Sequence, residues 1–219
     1  MNAPGQRRLR ADAVRNAERI LRAAGQAFAE VGPEVALEEI ARRAEVGVAT
    51  LYRRFPNKEL LVRAILEQRF AEQVQPAIER ARTAADPWRG LVSVLEATIA
   101  MASREKATLK AAKELSAVTG ELVTRLLSGL AEIIRRAQRE GVVRADLTPD
   151  DLPRIVVMLA ATARLSDQPD NEDWRRYLAL LLDGCRPAAA SPLPPATPLT
   201  GGFPPVHRRE NANSPSVNR

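Results

Sequence analysis

Thr50, Tyr52, Arg53, Arg54 and Lys58 fall together in the run "TLYRRFPNKELL", residues 50 to 61. Side chains of these types, gathered this closely, can hold and read other groups. A guanidinium presents five N–H donors in a fixed fork, an ammonium three, a hydroxyl one, so the set suits anions and the acceptor edges of bases. Tyr52 and Phe55 flank the arginine pair, in a chain that is only 4% aromatic. The run is therefore a local concentration of recognition chemistry. The rest of the sequence supplies no reaction centre. The one histidine, His207, and the one cysteine, Cys185, are too few for a zinc site, a disulfide or a His-based catalytic pair. We expect no enzyme activity, no metal and no cofactor.

The elements that position these groups are helical. From Asp12 to Val31 the apolar residues Val14, Ala17, Leu21, Ala24, Phe28 and Val31 recur at spacings of three and four, the stripe of one helix. Gly32 and Pro33 stop it. Leu37, Ile40, Ala41 and Ala44 give two turns of a second helix, and "VATLYRRF" a third that ends before Pro56. Asn57 is placed to cap a fourth, "KELLVRAILEQRF". Helices two and three, joined by a short turn, make a helix-turn-helix. Ala41 is small where the two must approach, and Val46, Leu51 and Phe55 can close the corner against Ile40 and Phe28. At 100° per residue an inward Leu51 brings Phe55 beside it and turns Ala49 and Arg53 outward, with Thr50 flanking. That small, polar, cationic face fits a DNA major groove, where Arg can take a guanine edge and Ala or Thr methyls a thymine methyl. Tyr52 can reach a backbone phosphate, and Lys58, a cation in the first turn of a helix, is disfavoured unless an anion comes there. The alternative is a merely solvated basic face. The net charge of +6 and pI near 10.2 are compatible with either.

The stretch from Ile20 to Leu61 carries a resemblance. "ILRAAGQAFAEVG", followed by "LEEIARRAEVGVATLYRRFPNKELL", resembles the N-terminal domain of the TetR family of bacterial transcriptional repressors over about a fifth of the chain. The resemblance implies an all-α homodimer. Its three-helix N-terminal domain with the helix-turn-helix would bind double-stranded operator DNA, and a larger helical C-terminal domain would bind a small-molecule effector and dimerise. It implies that Gly47 starts the recognition helix, that Thr50 and Arg53 face bases, and that Tyr52 and Lys58 touch phosphates; Val48, Ala49 and Arg54 complete the set. The chain departs from the family where Glu45 replaces a turn glycine, where Ala36 and Gly47 stand in place of Ser or Thr caps, and where Val48 replaces a lysine. Arg7, Arg8 and Arg10, ahead of the first helix, read as an arm able to enter a narrow minor groove.

The expected divisions are a basic arm at 1–11, the DNA-binding domain at 12–62, a regulatory and dimerisation domain at 63–186, and a disordered Pro-rich tail at 187–219. Further helices are expected after Pro87, near 107–117, ending at Gly141, and near 150–165 and 171–185. In this half the signal is generic. Trp88, Met101 and Met158 are candidate ligand-lining residues, and Leu159, Ala163, Trp174, Leu178 and Leu181 candidate dimer contacts; burial within one subunit is the other reading. Leu61, Ile65 and Phe70 suggest one rigid fourth helix reporting to both domains. The longest apolar run, "IVVMLAA", is far shorter than the ~20 residues of a membrane span, so we expect no membrane partner and a cytoplasmic protein. The rival function is a helical ligand carrier or protein-interaction scaffold.

Overall fold

The computed structural model describes residues 4–115, 120–148, 151–162, 173–189 and 191–195; every regular element among them is helical. α1 (Pro4–Glu30) buries Ile20, Ala23, Ala24, Ala27 and Phe28, and ends at Gly32, whose φ of +96° suits only glycine comfortably. α2 (Leu37–Arg43) and α3 (Val48–Arg54) form the helix-turn-helix. Its turn is closed by the Val46 amide donating to the Ala41 carbonyl at 3.0 Å, which the small Ala41 side chain permits. Asn57 caps α4 (Lys58–Arg69) as its side chain predicts, accepting from the Leu60 amide at 2.8 Å. One apolar core joins α1, α2, α3, Leu61, Val62, Ile65 and Leu66 of α4, and Ala111 and Ala112 from a later helix, α7 (Lys106–Glu114).

A second core begins at Phe70. The helix does not continue regularly there. A π-helical turn, Phe70–Val74, leads into α5 (Gln75–Thr83), an element that the periodicity alone did not suggest. Pro76 explains the break: its ring has no N–H to give and would strike the carbonyl one regular turn back. α6 (Pro87–Arg104), capped by Asp86, crosses this core, and α7 (Lys106–Glu114) turns back to the first. α8 (Gly120–Arg139) ends at Gly141, φ +68°, followed by α9 (Asp151–Thr162) and α10 (Trp174–Gly184).

Four expectations change. The first helix reaches back to Pro4, so Arg7, Arg8 and Arg10 stand on helical backbone instead of an arm preceding it. The fourth helix is not one uniform rod, because Leu61 and Ile65 pack in the first core and Phe70 in the second, on either side of the junction with the π turn. The tail is ordered at its start: Pro187–Ala189 form a 3₁₀ turn, Arg144 donates to the Ser191 carbonyl at 2.6 Å, and the Leu193 amide donates to Asp146 at 3.0 Å. Residues 196–219, including His207, lie outside the described residues. The stripe proposed for dimerisation faces inward, since Leu159, Trp174 and Leu178 are buried within the subunit and Leu181 packs on the same core. Ala163 lies outside the described residues.

Candidate nucleic-acid interface

The face of α3 is built from behind. Leu51 is fully buried and Phe55 nearly so, against Phe28 and Ile40 in the first core, with Val46 half-buried at the corner. This fixes the rotation of a helix only seven residues long, too short to hold itself in water. Gly47, Val48, Ala49, Arg53 and Arg54 are then exposed, and Thr50 is half-buried beside them. Neither α2 nor α3 has a side-chain N-cap, Ala36 and Gly47 occupying those positions. Packing and the turn's backbone hydrogen bonds, Thr50 N–H to the Gly47 carbonyl among them, carry the geometry instead.

The cations differ in what already holds them. Arg53 makes no hydrogen bond or ion pair among the described residues, and it projects from the exposed face. Arg54 lies 5.9 Å from the centre of the Phe55 ring, a long cation–π contact that steers its stem. Lys58 donates to the Pro33 carbonyl at 2.7 Å, tying the start of α4 to the loop after α1. That contact answers part of the Lys58 question, because a neutral acceptor from the protein stabilises a cation in the first turn while two of its three N–H donors stay open.

Glu39 is enclosed by arginine. Arg42 donates to it at 2.7 Å through both Nε and Nη2, Arg43 donates at 2.8 Å, and Arg43 also pairs with Glu30 of α1. These hydrogen bonds, Arg42 first, lower its pKa to about 2. Glu38, one residue earlier, has a different partner: the Tyr52 hydroxyl donates to its Oε1 at 2.7 Å. That bond lowers the Glu38 pKa and raises that of Tyr52. Sequence reasoning missed Glu38. Its only signal was an acid in the first turn of the helix that leads into the turn. Glu45 is exposed in the turn at φ +53°, the left-handed region where glycine is at ease.

Residues 20–65 match the family model of bacterial regulatory proteins, tetR family, and residues 78–187 match that of the SbtR-like transcriptional regulator C-terminal domain. The chain belongs to the TetR family. Solved structures agree with this placement. A TetR regulatory protein from Mycobacterium vanbaalenii is 32% identical, with 81% of this chain and 99% of that one covered and a TM-score of 0.57. A TetR transcriptional regulator from Streptomyces coelicolor is 30% identical, covering 78% and 98%, with a TM-score of 0.60. NalD, described as the secondary repressor of the MexAB-OprM multidrug efflux pump in Pseudomonas aeruginosa, is 25% identical, covering 80% and 98%, with a TM-score of 0.54. No curated protein sequence matches the chain. This TetR-family protein is thus a DNA-binding transcriptional regulator of a ligand-responsive family whose members are generally not enzymes. Among the described residues no helix is long and apolar enough to cross a membrane.

The residues suggested for a ligand do not converge. Met101 is buried in the second core, Met158 is exposed, and Trp88 is half-buried in an open cleft with Asp86, Arg89 and Glu96. Trp88 and Met101 lie thirteen positions apart on α6, about 20 Å along its axis. The guanidinium of Arg186 sits 3.6 Å from the centre of the Trp88 ring and occupies one of its faces. Spacing along a sequence could not separate a core methionine from a surface one.

Proposed function

We propose that this regulator is a homodimeric repressor that places α3 of each subunit in the major groove of operator DNA and is released by a small molecule bound in its C-terminal unit. The observation that carries the reading is the exposed face of α3, where Ala49 and Arg53 project over a buried Leu51 and Phe55. In this reading Thr50 and Arg53 read bases, with Val48 and Ala49 supplying apolar contact. Tyr52 and Lys58 hold phosphates, Gly47 opens the helix, Arg54 lies at its edge, and Arg7, Arg8 and Arg10 add positive charge for the DNA backbone. The DNA-binding unit then spans residues 12–62 and the regulatory unit 63–186, and the repressor sign accords with NalD.

Dimerisation is assigned to the outer faces of α9 and α10. Val157 is 56% exposed, Met158 51%, Tyr177 45% and Leu180 61%, apolar side chains alongside the inward stripe first considered. Such a surface is what two symmetric subunits would cover. Leu180→Glu is expected to give monomers by sedimentation and to lose operator binding while the subunit stays folded.

Operator duplexes selected from a random pool test the interface directly. Arg53→Ala is expected to weaken operator binding about 10-fold to 100-fold and to relax preference at one base pair, leaving scrambled DNA nearly unaffected. Lys58→Ala should weaken both DNAs alike and flatten the salt slope by about one. Equal loss on both DNAs for Arg53→Ala would remove its base-reading role.

A further inference from the structure

We infer that Glu38 is a built-in stand-in for a DNA phosphate, latching the Tyr52 hydroxyl in the free protein and lowering the affinity of the interface for all DNA. The inference rests on the phosphate-facing role proposed for Tyr52. Its basis is a count of donors. The phenol has one hydrogen to give, and in this structure it goes to Glu38 Oε1 at 2.7 Å. A phosphate oxygen only accepts, as a carboxylate does, so the hydroxyl cannot serve both. Lys58 differs in kind, because its ammonium keeps two donors after the bond to Pro33.

The neighbouring acids sharpen the point. Glu39 is neutralised locally by Arg42 and Arg43, whereas no cation lies within ion-pairing distance of Glu38 among the described residues. Glu38 is exposed on the first turn of α2, its carboxyl held ionised by the phenol. An anion therefore sits where the phenol would meet a phosphate. Engaging DNA breaks a charge-assisted hydrogen bond and brings the phosphate up to a like charge. Both effects oppose binding, and neither depends on base sequence. The latch accordingly sets how tightly DNA of any sequence is held and leaves the operator preference to α3.

The test is a double-mutant cycle on the full-length chain, with a selected operator duplex and a scrambled duplex at one moderate salt concentration. Glu38→Gln keeps the shape and removes the charge; we expect both duplexes to bind about five-fold tighter, with their ratio unchanged. In the Tyr52→Phe background the same substitution should gain about two-fold or less, the share due to like-charge repulsion alone. Glu38→Ala, which removes the acceptor entirely, should match or exceed the gain of Glu38→Gln, and circular dichroism confirms that each variant is folded. Unchanged or weaker binding by both Glu38 variants overturns the latch. An equal gain with and without the Tyr52 hydroxyl overturns it too, by assigning the effect to charge alone. If Tyr52→Phe weakens neither duplex in the Glu38→Ala background, where no latch offsets the lost hydroxyl, the phosphate role fails first and the latch falls with it.

Discussion

The two cores of this molecule are filled differently. Among the described residues, eighteen buried side chains define the first and seven of them are alanines: Ala23, Ala24, Ala27, Ala41, Ala44, Ala111 and Ala112. The second has three among twenty-two and is otherwise mostly Leu, Ile and Val, with Phe70, Met101 and Trp174. Alanine lets helix backbones approach closely and allows few alternative packings, so a core of this kind fixes helix orientation tightly. Large aliphatics interchange more freely, provided that volume is kept. The unit that must present α3 at a defined angle has the first kind of core. The unit expected to vary with its ligand has the second.

The largest expected effect probes the anchor of the first core. Phe28 is fully buried among those alanines, beneath the helix-turn-helix. Alanine side chains cannot reach into the space that a lost ring leaves, so Phe28→Ala should destabilise by about 3–5 kcal/mol. Chemical denaturation measures the loss. Leu95→Met in the second core keeps volume and should cost less than about 1.5 kcal/mol. A similar small cost for Phe28→Ala would mean that the alanine-rich corner can collapse, and the contrast between the cores would fail.

A glycine in the second core gives an intermediate case. At Gly129 of α8 a β-carbon would lie 2.8 Å from Ile78 Cγ2 of α5, so at this crossing, as where Gly90 of α6 meets Ala81 of α5 at 3.2 Å, helices of the second core also approach closely. Ile78 is β-branched, and its χ1 has little freedom within a helix. Gly129→Ala gains up to about 1 kcal/mol of helix propensity but loses about 1–3 kcal/mol to overpacking. The net expectation is a fall in stability of about 1–2 kcal/mol by the same denaturation assay. A rise would show that α5 and α8 can part at no cost.

This difference in packing also explains what the sequence made legible. Small residues at fixed spacing leave a pattern, and Ala41, Leu51 and Phe55 lie where that pattern puts them, with Ala49 and Arg53 outward. Asn57 caps α4, and Gly141 ends α8. Farther along, α10 has apolar residues on two faces, Trp174 and Leu178 inward and Tyr177 and Leu180 outward. Periodicity finds a stripe and cannot say which of two stripes meets the core of its own subunit. The π turn escaped for another reason: it depends on how a helix accommodates Pro76, a backbone matter with no apolar period of its own. Glu38 escaped because its partner is fourteen residues away, across the turn.

The smallest expected effect lies in the turn that both helices of the motif share. Glu45 holds φ at +53°, where a β-carbon crowds the following carbonyl at a cost of about 1–2 kcal/mol. Gly32 and Gly141, both glycines at positive φ, meet the same backbone demand without that cost. Glu45→Gly should remove the strain, but it also gives the unfolded chain more freedom, worth about 0.5–1 kcal/mol in the opposite sense. The balance is a gain of a few tenths to about 1 kcal/mol, read as a raised denaturation midpoint with unchanged slope. Glu45→Asn separates backbone from charge, since Asn tolerates the left-handed region better than Glu while keeping a side chain. If strain is the cause, Asn should recover part of the gain and Gly more. If the two variants are equally stabilised, and the gain disappears at high salt, the acid's charge among its neighbours is responsible and the backbone at Glu45 is not under strain.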